Sequence, residues 1–221
     1  MSNIDWSTWH EAYDRPGSYL AARLAVVQQR IRESLDQAPP GPLRAISMCA
    51  GAGRDLLGVL ESHPRAHDVS ALLVERDERN VAAAREAAGR ARLGSVSVVC
   101  GDAASSDAYA SAVPADLILV CGVFGNIGDA DIGRTIAALP SLCAPRATVV
   151  WTRHRRPPDR TLEIRRCYER EGFEEIAFDA PDRFLFSVGV HRLRRPPRSF
   201  EPGLRLFEFV GYDALLARGA P

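Results

Sequence analysis

Apolar residues recur at spacings of three and four near the start of the chain, which places them on one face of a helix. They are Leu20, Leu24, Val27, Ile31 and Leu35. The helix follows the turn signal Asp14-Arg15-Pro16-Gly17 and the N-cap candidate Ser18. Prolines and a glycine then break the chain at 39–42. The pattern predicts an N-terminal helical cap over 1–40.

Short apolar runs alternate with helical patterns over the rest of the chain. Seven runs have the length of buried strands: 44–49, 71–74, 96–100, 117–121, 148–152, 174–178 and 184–190. Helices are predicted between them over 54–61, 78–92, 106–112, 131–142 and 159–171. Strands separated by helices predict a mainly parallel sheet with helices on both faces. We therefore predict a single α/β domain with its core over 41–191 and a C-terminal extension over 192–221.

Ligands of such sheets bind beyond the carboxyl ends of the strands, so the loops that follow the strands are the candidate site. The first loop is Cys49-Ala50-Gly51-Ala52-Gly53, whose glycines let the backbone turn tightly and approach a ligand. A tight turn without a ligand has the same pattern. Glu75, followed by Arg76, ends the second strand, where a carboxylate can accept hydrogen bonds from ribose hydroxyls or serve as a helix N-terminal acid.

Two further strand ends complete the candidate site. The run Gly101-Asp102-Ala103 places another acid at the end of the third strand, suited to the exocyclic amine of an adenine. The run Cys121-Gly122-Val123-Phe124-Gly125-Asn126 follows the fourth strand, and its glycines let a ligand lie against the backbone. Asn126 would orient a ligand or form a turn.

Together and in this order, the four loops resemble those of class I S-adenosylmethionine-dependent methyltransferases over residues 44 to 190. The resemblance implies a Rossmann-like fold, with a seven-stranded, mainly parallel sheet and an antiparallel final strand inserted beside the fifth. It implies S-adenosylmethionine as the cofactor and S-adenosylhomocysteine as its product. A nicotinamide-dependent dehydrogenase is the nearest competitor, but a third loop glycine would be expected where Leu56 stands.

The resemblance also implies the cofactor-binding residues. Ala50, Gly51 and Gly53 would face the methionine and ribose portions, Glu75 the ribose hydroxyls, and Asp102 with Ala103 the adenine. Cys121 and Gly122 would form the floor beneath the sulfonium. The predicted cofactor site is completed by Arg76, Gly101, Asn126, Tyr13 and Arg15. The family commonly has an acid and a glycine where this chain has Ser47 and Cys49, which leaves open a non-methylating protein on the same fold.

The N-terminal aromatic residues Trp6, Trp9, Tyr13 and Tyr19 would either cover the cofactor and shape an acceptor pocket or pin the first helix to the core. In the first case Tyr13 and Arg15 would hold the methionine carboxylate, which a guanidinium matches in a bidentate geometry. The candidate general base is His154, just beyond the fifth strand. His63 and His67 lack a supporting cluster of ligands, so no metal site is predicted.

The composition of the chain limits the kinds of molecule that it is expected to bind. The chain has 221 residues, and its 28 basic and 28 acidic residues give a formal net charge of zero. A neutral chain favours a small-molecule acceptor, methylated on O or N, over RNA or protein, for which the arginines at 153–156 and 192–198 are the available basic surface. All basic residues are arginine, which excludes lysine chemistry. Five scattered cysteines and the lack of a signal or spanning segment predict a cytoplasmic protein with no membrane association. The sequence indicates no oligomeric state.

Overall fold

Seven strands form one sheet in the order β3-β2-β1-β4-β5-β7-β6. We describe this sheet from a computed structural model covering residues 17–212 and 214–215. The strands are β1 (Leu43–Met48), β2 (Val69–Glu75), β3 (Val96–Cys100), β4 (Ala115–Val120), β5 (Cys143–His154), β6 (Phe173–Asp179) and β7 (Phe186–Leu193). The first five are parallel neighbours, whereas β7 runs antiparallel between β5 and β6. The predicted Rossmann-like sheet, with its last strand inserted beside the fifth, is confirmed.

Within residues 17–212 and 214–215, five α-helices connect or flank the strands. They are α1 (Tyr19–Gln37), α2 (Leu57–Leu60), α3 (Glu78–Arg90), α4 (Asp129–Leu142) and α5 (Thr161–Arg170). The side chain of Ser18 caps α1 by accepting a hydrogen bond from the backbone N–H of Ala21 at 3.0 Å, as its position before the apolar stripe predicts. Asp77 caps α3 in the same way through the backbone N–H of Arg79.

The helices cover both faces of the sheet because alternate strand residues point in opposite directions. Leu73, Leu119 and Val188 pack on one face in a cluster that includes apolar residues of α1, α2 and α3. Residues such as Ile46 and Val149 belong to a second cluster, shared with α4 and α5. The N-terminal helix is thus one of the layers that cover the sheet. Within the described residues, no helix is both long and apolar enough to cross a membrane.

Two predicted helices are wrong in extent. The helix expected over 54–61 is reduced to Leu57–Leu60, because turns occupy the residues before it and Asp55 accepts the backbone N–H of Leu56 at 2.8 Å. The helix expected over 106–112 is a 3-10 turn over Ser106–Tyr109. There the backbone N–H groups of Ala110 and Ala112 donate to the carbonyls three residues earlier, those of Asp107 and Tyr109, which is 3-10 bonding in place of α-helical bonding.

Candidate functional site

A cavity of about 920 Å³ opens at the carboxyl edge of the sheet, where the loops after the first five strands meet. Ten of the predicted site residues line it: Ala50, Gly51, Glu75, Arg76, Asp102, Ala103, Cys121, Gly122, Asn126 and His154. Gly53 and Gly101 lie next to the cavity without lining it. Tyr13 and Arg15, like Trp6 and Trp9, lie outside the described residues.

The loop after β1 needs glycine at position 53 for packing. Gly53 has a φ of +71°, and a Cβ added there would lie 2.7 Å from Leu57 Cδ1 and 2.8 Å from Leu73 Cδ2. Its backbone N–H donates to the carbonyl of Ala50 at 2.9 Å, which closes the turn. The missing side chain therefore lets the loop pack against α2 and β2, while Ala50 and Gly51 face the cavity.

Glu75 joins the first two loops. One carboxylate oxygen accepts the backbone N–H of Gly51 at 2.7 Å, and the other accepts the backbone N–H of Asp77 at 2.9 Å. A carboxylate has about four lone-pair directions, so both oxygens keep capacity for a further donor. The side chain thus fixes the glycine loop against the start of α3 and still offers acceptors to a ligand in the cavity.

Cys49, which stands where the family commonly has glycine, keeps a glycine-like backbone. Its φ of 49° lies in the left-handed region, which a non-glycine residue adopts at a cost. Burial, together with the negative charges of Glu75 and Asp102, raises the pKa of its thiol to about 12. The thiol therefore stays protonated at neutral pH and is not a nucleophile. Cys49 therefore adopts a backbone conformation that glycine adopts without that cost.

Asp102, at the end of β3, is anchored on two sides. One oxygen accepts the backbone N–H of Ala104 at 3.0 Å, and the other accepts a hydrogen bond from the guanidinium of Arg205. Partial burial by itself raises the pKa of the carboxyl group, but these two donors outweigh it and hold the pKa below its usual value. Asp102 therefore carries a negative charge at neutral pH, at the mouth of the cavity.

Arg205 belongs to a segment that the sequence did not assign to the site. This segment, residues 204–212, is called here the C-terminal strap. It runs along α4 to the cavity and is held mainly by its own backbone. The N–H of Leu206 donates to the carbonyl of Ala104 at 2.8 Å, and the N–H of Glu208 donates to Asp131 Oδ2 at 2.8 Å. The strap contributes Arg205, Phe207, Glu208, Phe209 and Tyr212 to the cavity wall.

The strap ends against Asn126, which lies in the loop after β4. Its side-chain amide donates to the carbonyl of Gly122 at 2.7 Å, and its Oδ1 accepts the backbone N–H of Tyr212 at 3.1 Å. Its own carbonyl accepts from Val210 at 2.9 Å. Both side-chain polar atoms of Asn126 thus have backbone partners, in keeping with the turn role that the sequence left open.

The carboxyl end of β5, which extends to His154 and so includes the residue expected just beyond it, forms the far end of the cavity together with Arg156. The imidazole of His154 contacts the ring of Tyr212 edge-on, with centroids 4.9 Å apart, and Arg156 donates to the Tyr212 hydroxyl at 3.0 Å. Burial, and then the positive charges of Arg153 and Arg156, lowers the pKa of His154 to about 4. The imidazole is therefore uncharged at neutral pH and available as a hydrogen-bonding group or a weak base.

Two further contributors to the cavity were missed in the sequence: Arg23 reaches it from α1, and Asp55 reaches it from the first loop. Tyr19, one of the aromatic residues that the sequence offered as a cofactor cover, also lines the cavity. Burial raises the pKa of Asp55, although the backbone N–H of Leu56 and the charge of Arg23 oppose that shift. The signal for Asp55 was its place in the glycine loop. A helical stripe does not reveal that Arg23 lies beside the cavity, since that depends on how α1 crosses the sheet.

Solved structures with this arrangement of strands include methyltransferases. A magnesium protoporphyrin IX methyltransferase from Synechocystis PCC 6803 with bound S-adenosylmethionine has a TM-score of 0.67 at 12% identity, covering 86% of this chain and 92% of that chain. CurJ carbon methyltransferase has a TM-score of 0.66 at 13% identity, with coverages of 86% and 59%. An O-methyltransferase family protein from Burkholderia thailandensis has a TM-score of 0.62 at 13% identity, covering 79% of this chain and 57% of that chain.

The chain spans less than two thirds of the length of the CurJ and Burkholderia proteins. Neither a protein-family model nor a curated protein sequence matches it. At these identities the likeness concerns the fold, and the acceptors named for the solved proteins differ from one another. The chain has the fold of class I S-adenosylmethionine-dependent methyltransferases, as the order of its strand-end loops predicts.

Proposed function

We propose that the protein is an S-adenosylmethionine-dependent methyltransferase that methylates an oxygen or nitrogen atom of a small molecule. The observation that carries the proposal is the position of Glu75, which holds the glycine loop and the start of α3 together at the cavity wall. A strand-end carboxylate beside a glycine loop is the arrangement that binds a nucleoside ribose in sheets of this type.

The residues present fit this cofactor. Ala50 and Gly51 offer backbone to the methionine and ribose portions, Glu75 has free lone pairs, and Asp102 is ionised at the cavity mouth. Arg76, Ala103, Cys121 and Gly122 line the space between them. The cavity, at about 920 Å³, lies near the upper end of the range of about 300–1,000 Å³ for small-molecule sites, which leaves room for an acceptor. When bound, S-adenosylmethionine supplies an electrophilic methyl group.

The chain's own task is then mainly alignment. In-line transfer requires the accepting atom to be held in a near-attack position, and a base is needed only when that atom must lose a proton. His154 is the candidate base, because it lies in the cavity and is uncharged at neutral pH. Its lowered pKa makes it a weak base in the ligand-free protein.

A small acceptor is favoured over RNA by the state of the surface arginines. Arg194 pairs with Glu174 at 3.5 Å and Arg198 with Glu171 at 3.1 Å. Arg155 pairs with Asp159 at 3.6 Å. Three of the seven arginines in the two basic clusters are thus already paired with neighbouring acids, and the C-terminal strap lines the cavity through which a polyanion would have to enter. The five free cysteines agree with a reducing, cytoplasmic location.

Calorimetry with S-adenosylmethionine and S-adenosylhomocysteine tests the cofactor, and saturable binding of both is expected. Methyl transfer is tested by incubating the protein with methyl-labelled S-adenosylmethionine and an extract of the source cells, then separating small molecules from RNA and protein. Label is expected in the small-molecule fraction. Label in RNA or protein would support the other acceptor classes, and binding without transfer would indicate a non-methylating protein. If neither compound binds, the proposal is wrong.

A further inference from the structure

The cavity has an end at which positive charge is not matched by negative charge. We call it the arginine end, and it consists of Arg153, His154, Arg156 and Tyr212. It lies at the end of β5, separated by β4 from β1 and its glycine loop. The acids Glu75 and Asp102 belong to loops on the other side of β1, after β2 and β3.

The central observation is that the guanidinium of Arg153 is buried and incompletely hydrogen-bonded. The residue is nine-tenths buried, with 9% of its surface exposed, and it still lines the cavity. One terminal nitrogen donates to the carbonyl of Phe124, but the buried Nε has no hydrogen-bond partner among the described residues. A buried guanidinium without its hydrogen bonds or counter-ion destabilises a fold unless a ligand supplies them.

The two acids whose charges act on Arg153 each form an ion pair with another arginine. Asp129 pairs with Arg160 at 3.1 Å, and Asp159 pairs with Arg155 at 3.6 Å. Glu208 lines the same cavity from the strap, but it forms no ion pair with either arginine of the arginine end in the described structure. The positive charge of Arg153 is therefore left for a molecule in the cavity.

Arg156 adds a second positive charge on the solvent side. It donates to the Tyr212 hydroxyl at 3.0 Å, and its guanidinium lies 5.3 Å from the centre of the Tyr212 ring. In the described residues it makes no ion pair with a carboxylate. Phe209 lines the cavity with 43% of its surface exposed, which offers an apolar contact to a bound molecule.

We propose that the methyl acceptor carries a carboxylate, which Arg153 and Arg156 bind, and a flat apolar body, which contacts Tyr212 and Phe209. This inference rests on the proposed function and specifies its substrate class. A carboxylate is the group that a guanidinium binds with two parallel hydrogen bonds, and it would give the buried Nε of Arg153 an acceptor. The accepting atom then lies on the part of the molecule that points towards Gly122 and the glycine loop.

Binding of the carboxylate also changes the pKa of His154. Burial is the largest cause that lowers the pKa of the imidazole to about 4, and the charges of Arg153 and Arg156 lower it further. A bound carboxylate offsets these two charges, so it raises the pKa of His154 by the part of the shift that they cause. His154 thereby becomes a stronger base only when the acceptor is in place.

The experiment compares benzoate, benzamide and phenyl phosphate by calorimetry, with the protein saturated by S-adenosylhomocysteine and again without it. Benzoate and benzamide have the same ring and differ in charge. We expect benzoate to bind at least about tenfold more tightly than benzamide, because a charge-assisted hydrogen bond contributes about 1.5–3 kcal/mol. Arg153→Gln and Arg156→Gln should each reduce that preference, whereas Arg155→Gln, whose charge is already paired with Asp159, should leave it unchanged.

The outcomes separate the two proposals. If S-adenosylhomocysteine fails to bind but benzoate is preferred, the proposed function is wrong and the carboxylate site remains. If S-adenosylhomocysteine binds but benzoate has no preference over benzamide, or neither binds, the carboxylate inference is wrong. Tighter binding of phenyl phosphate than of benzoate would replace the carboxylate by a phosphate. Arg156 is exposed, so Arg156→Gln provides a variant test even if Arg153→Gln fails to fold.

Discussion

The two ends of the cavity differ in how their charged groups are satisfied. At the glycine-loop end, Glu75 accepts two backbone hydrogen bonds and Asp102 accepts one from the backbone and one from Arg205. At the arginine end, the buried Nε of Arg153 and Nδ1 of His154 have no partner among the described residues. One end holds its shape through the chain's own contacts, and the other keeps polar groups that a ligand would satisfy.

This difference separates two kinds of recognition. Loops fixed by their own hydrogen bonds present a site whose shape does not depend on the ligand, which suits a cofactor that is bound in every reaction cycle. Unsatisfied buried groups are costly, and they are retained where another molecule completes them. This contrast agrees with the two proposals, which assign the glycine-loop end to a cofactor and the arginine end to a methyl acceptor.

Replacing Glu75 has the largest expected effect and tests whether the glycine-loop end is a cofactor site. Glu75→Gln removes the charge and turns one of the two acceptor oxygens into a donor facing a backbone N–H. We expect the affinity for S-adenosylhomocysteine to fall by about 100-fold or more, measured by calorimetry. Glu78→Gln, an exposed acid in the first turn of α3, is the matched control. An unchanged affinity of Glu75→Gln would contradict the ribose-binding role.

Replacing two glycines by alanine compares how closely the loops after β1 and β4 are packed. Gly53 and Gly122 both have positive φ, but a Cβ at Gly53 meets Leu57 and Leu73 within 3 Å, whereas a Cβ at Gly122 meets nothing within 4 Å. We expect Gly53→Ala to lower the free energy of unfolding by about 2–3 kcal/mol. Gly122→Ala should cost about 1 kcal/mol, from its backbone conformation alone. Denaturant unfolding measures both, and equal losses would show that close packing does not distinguish the loops.

Acid should destabilise the protein through His154 and His191 at a higher pH than it does through Asp102. Burial is the main cause that lowers the pKa of both His154 and His191 to about 4. Their unfolded forms bind a proton near pH 6.5, so stability falls as the pH decreases from about 6.5 to about 4, by at most about 1.4 kcal/mol per pH unit for each histidine. The carboxyl group of Asp102, with its lowered pKa, contributes only at lower pH.

Urea unfolding at pH 7, 6 and 5 measures this dependence. His154→Asn should make the decrease in stability shallower, because it removes one of the two groups that take up a proton on unfolding. His67→Asn, which replaces an imidazole with 80% of its side chain exposed, should leave the slope as it is in the unaltered protein. A flat profile between pH 7 and 5 would show that neither histidine is held uncharged by the fold.

The strands and the cofactor loops were predictable because their signals are local. An apolar run of five or six residues is sufficient to predict β1 or β4, and Glu75 and Asp102 directly follow such runs. The extents of the short helices were less predictable. The helix expected over 106–112 is a 3-10 turn, and its bonding partner Leu204 lies almost a hundred residues later, so no local pattern reveals that contact.

The C-terminal strap shows the same limit more strongly. Its partners Ala104, Asp131 and Asn126 are 77 to 102 residues away along the chain, so no local pattern assigns Arg205 or Tyr212 to the cavity. The alternation of apolar residues at 204, 206, 207 and 209 indicates a packed extended segment without indicating what it packs against. The sequence likewise showed arginines near the end of the fifth strand without showing that Arg153 is buried.

Contiguous residues thus determined the α/β class and the position of the loops at the strand ends, because hydrophobic periodicity and loop position act over a few neighbouring residues. The strand order was implied by the resemblance to methyltransferases. Only the tertiary structure decided that the strap lines the cavity and that Arg153 is buried with no partner for its Nε among the described residues. Burial and charge pairing depend on residues from several elements that are distant along the chain, which is why the strand-end loops were predictable from the sequence and the arginine end was not.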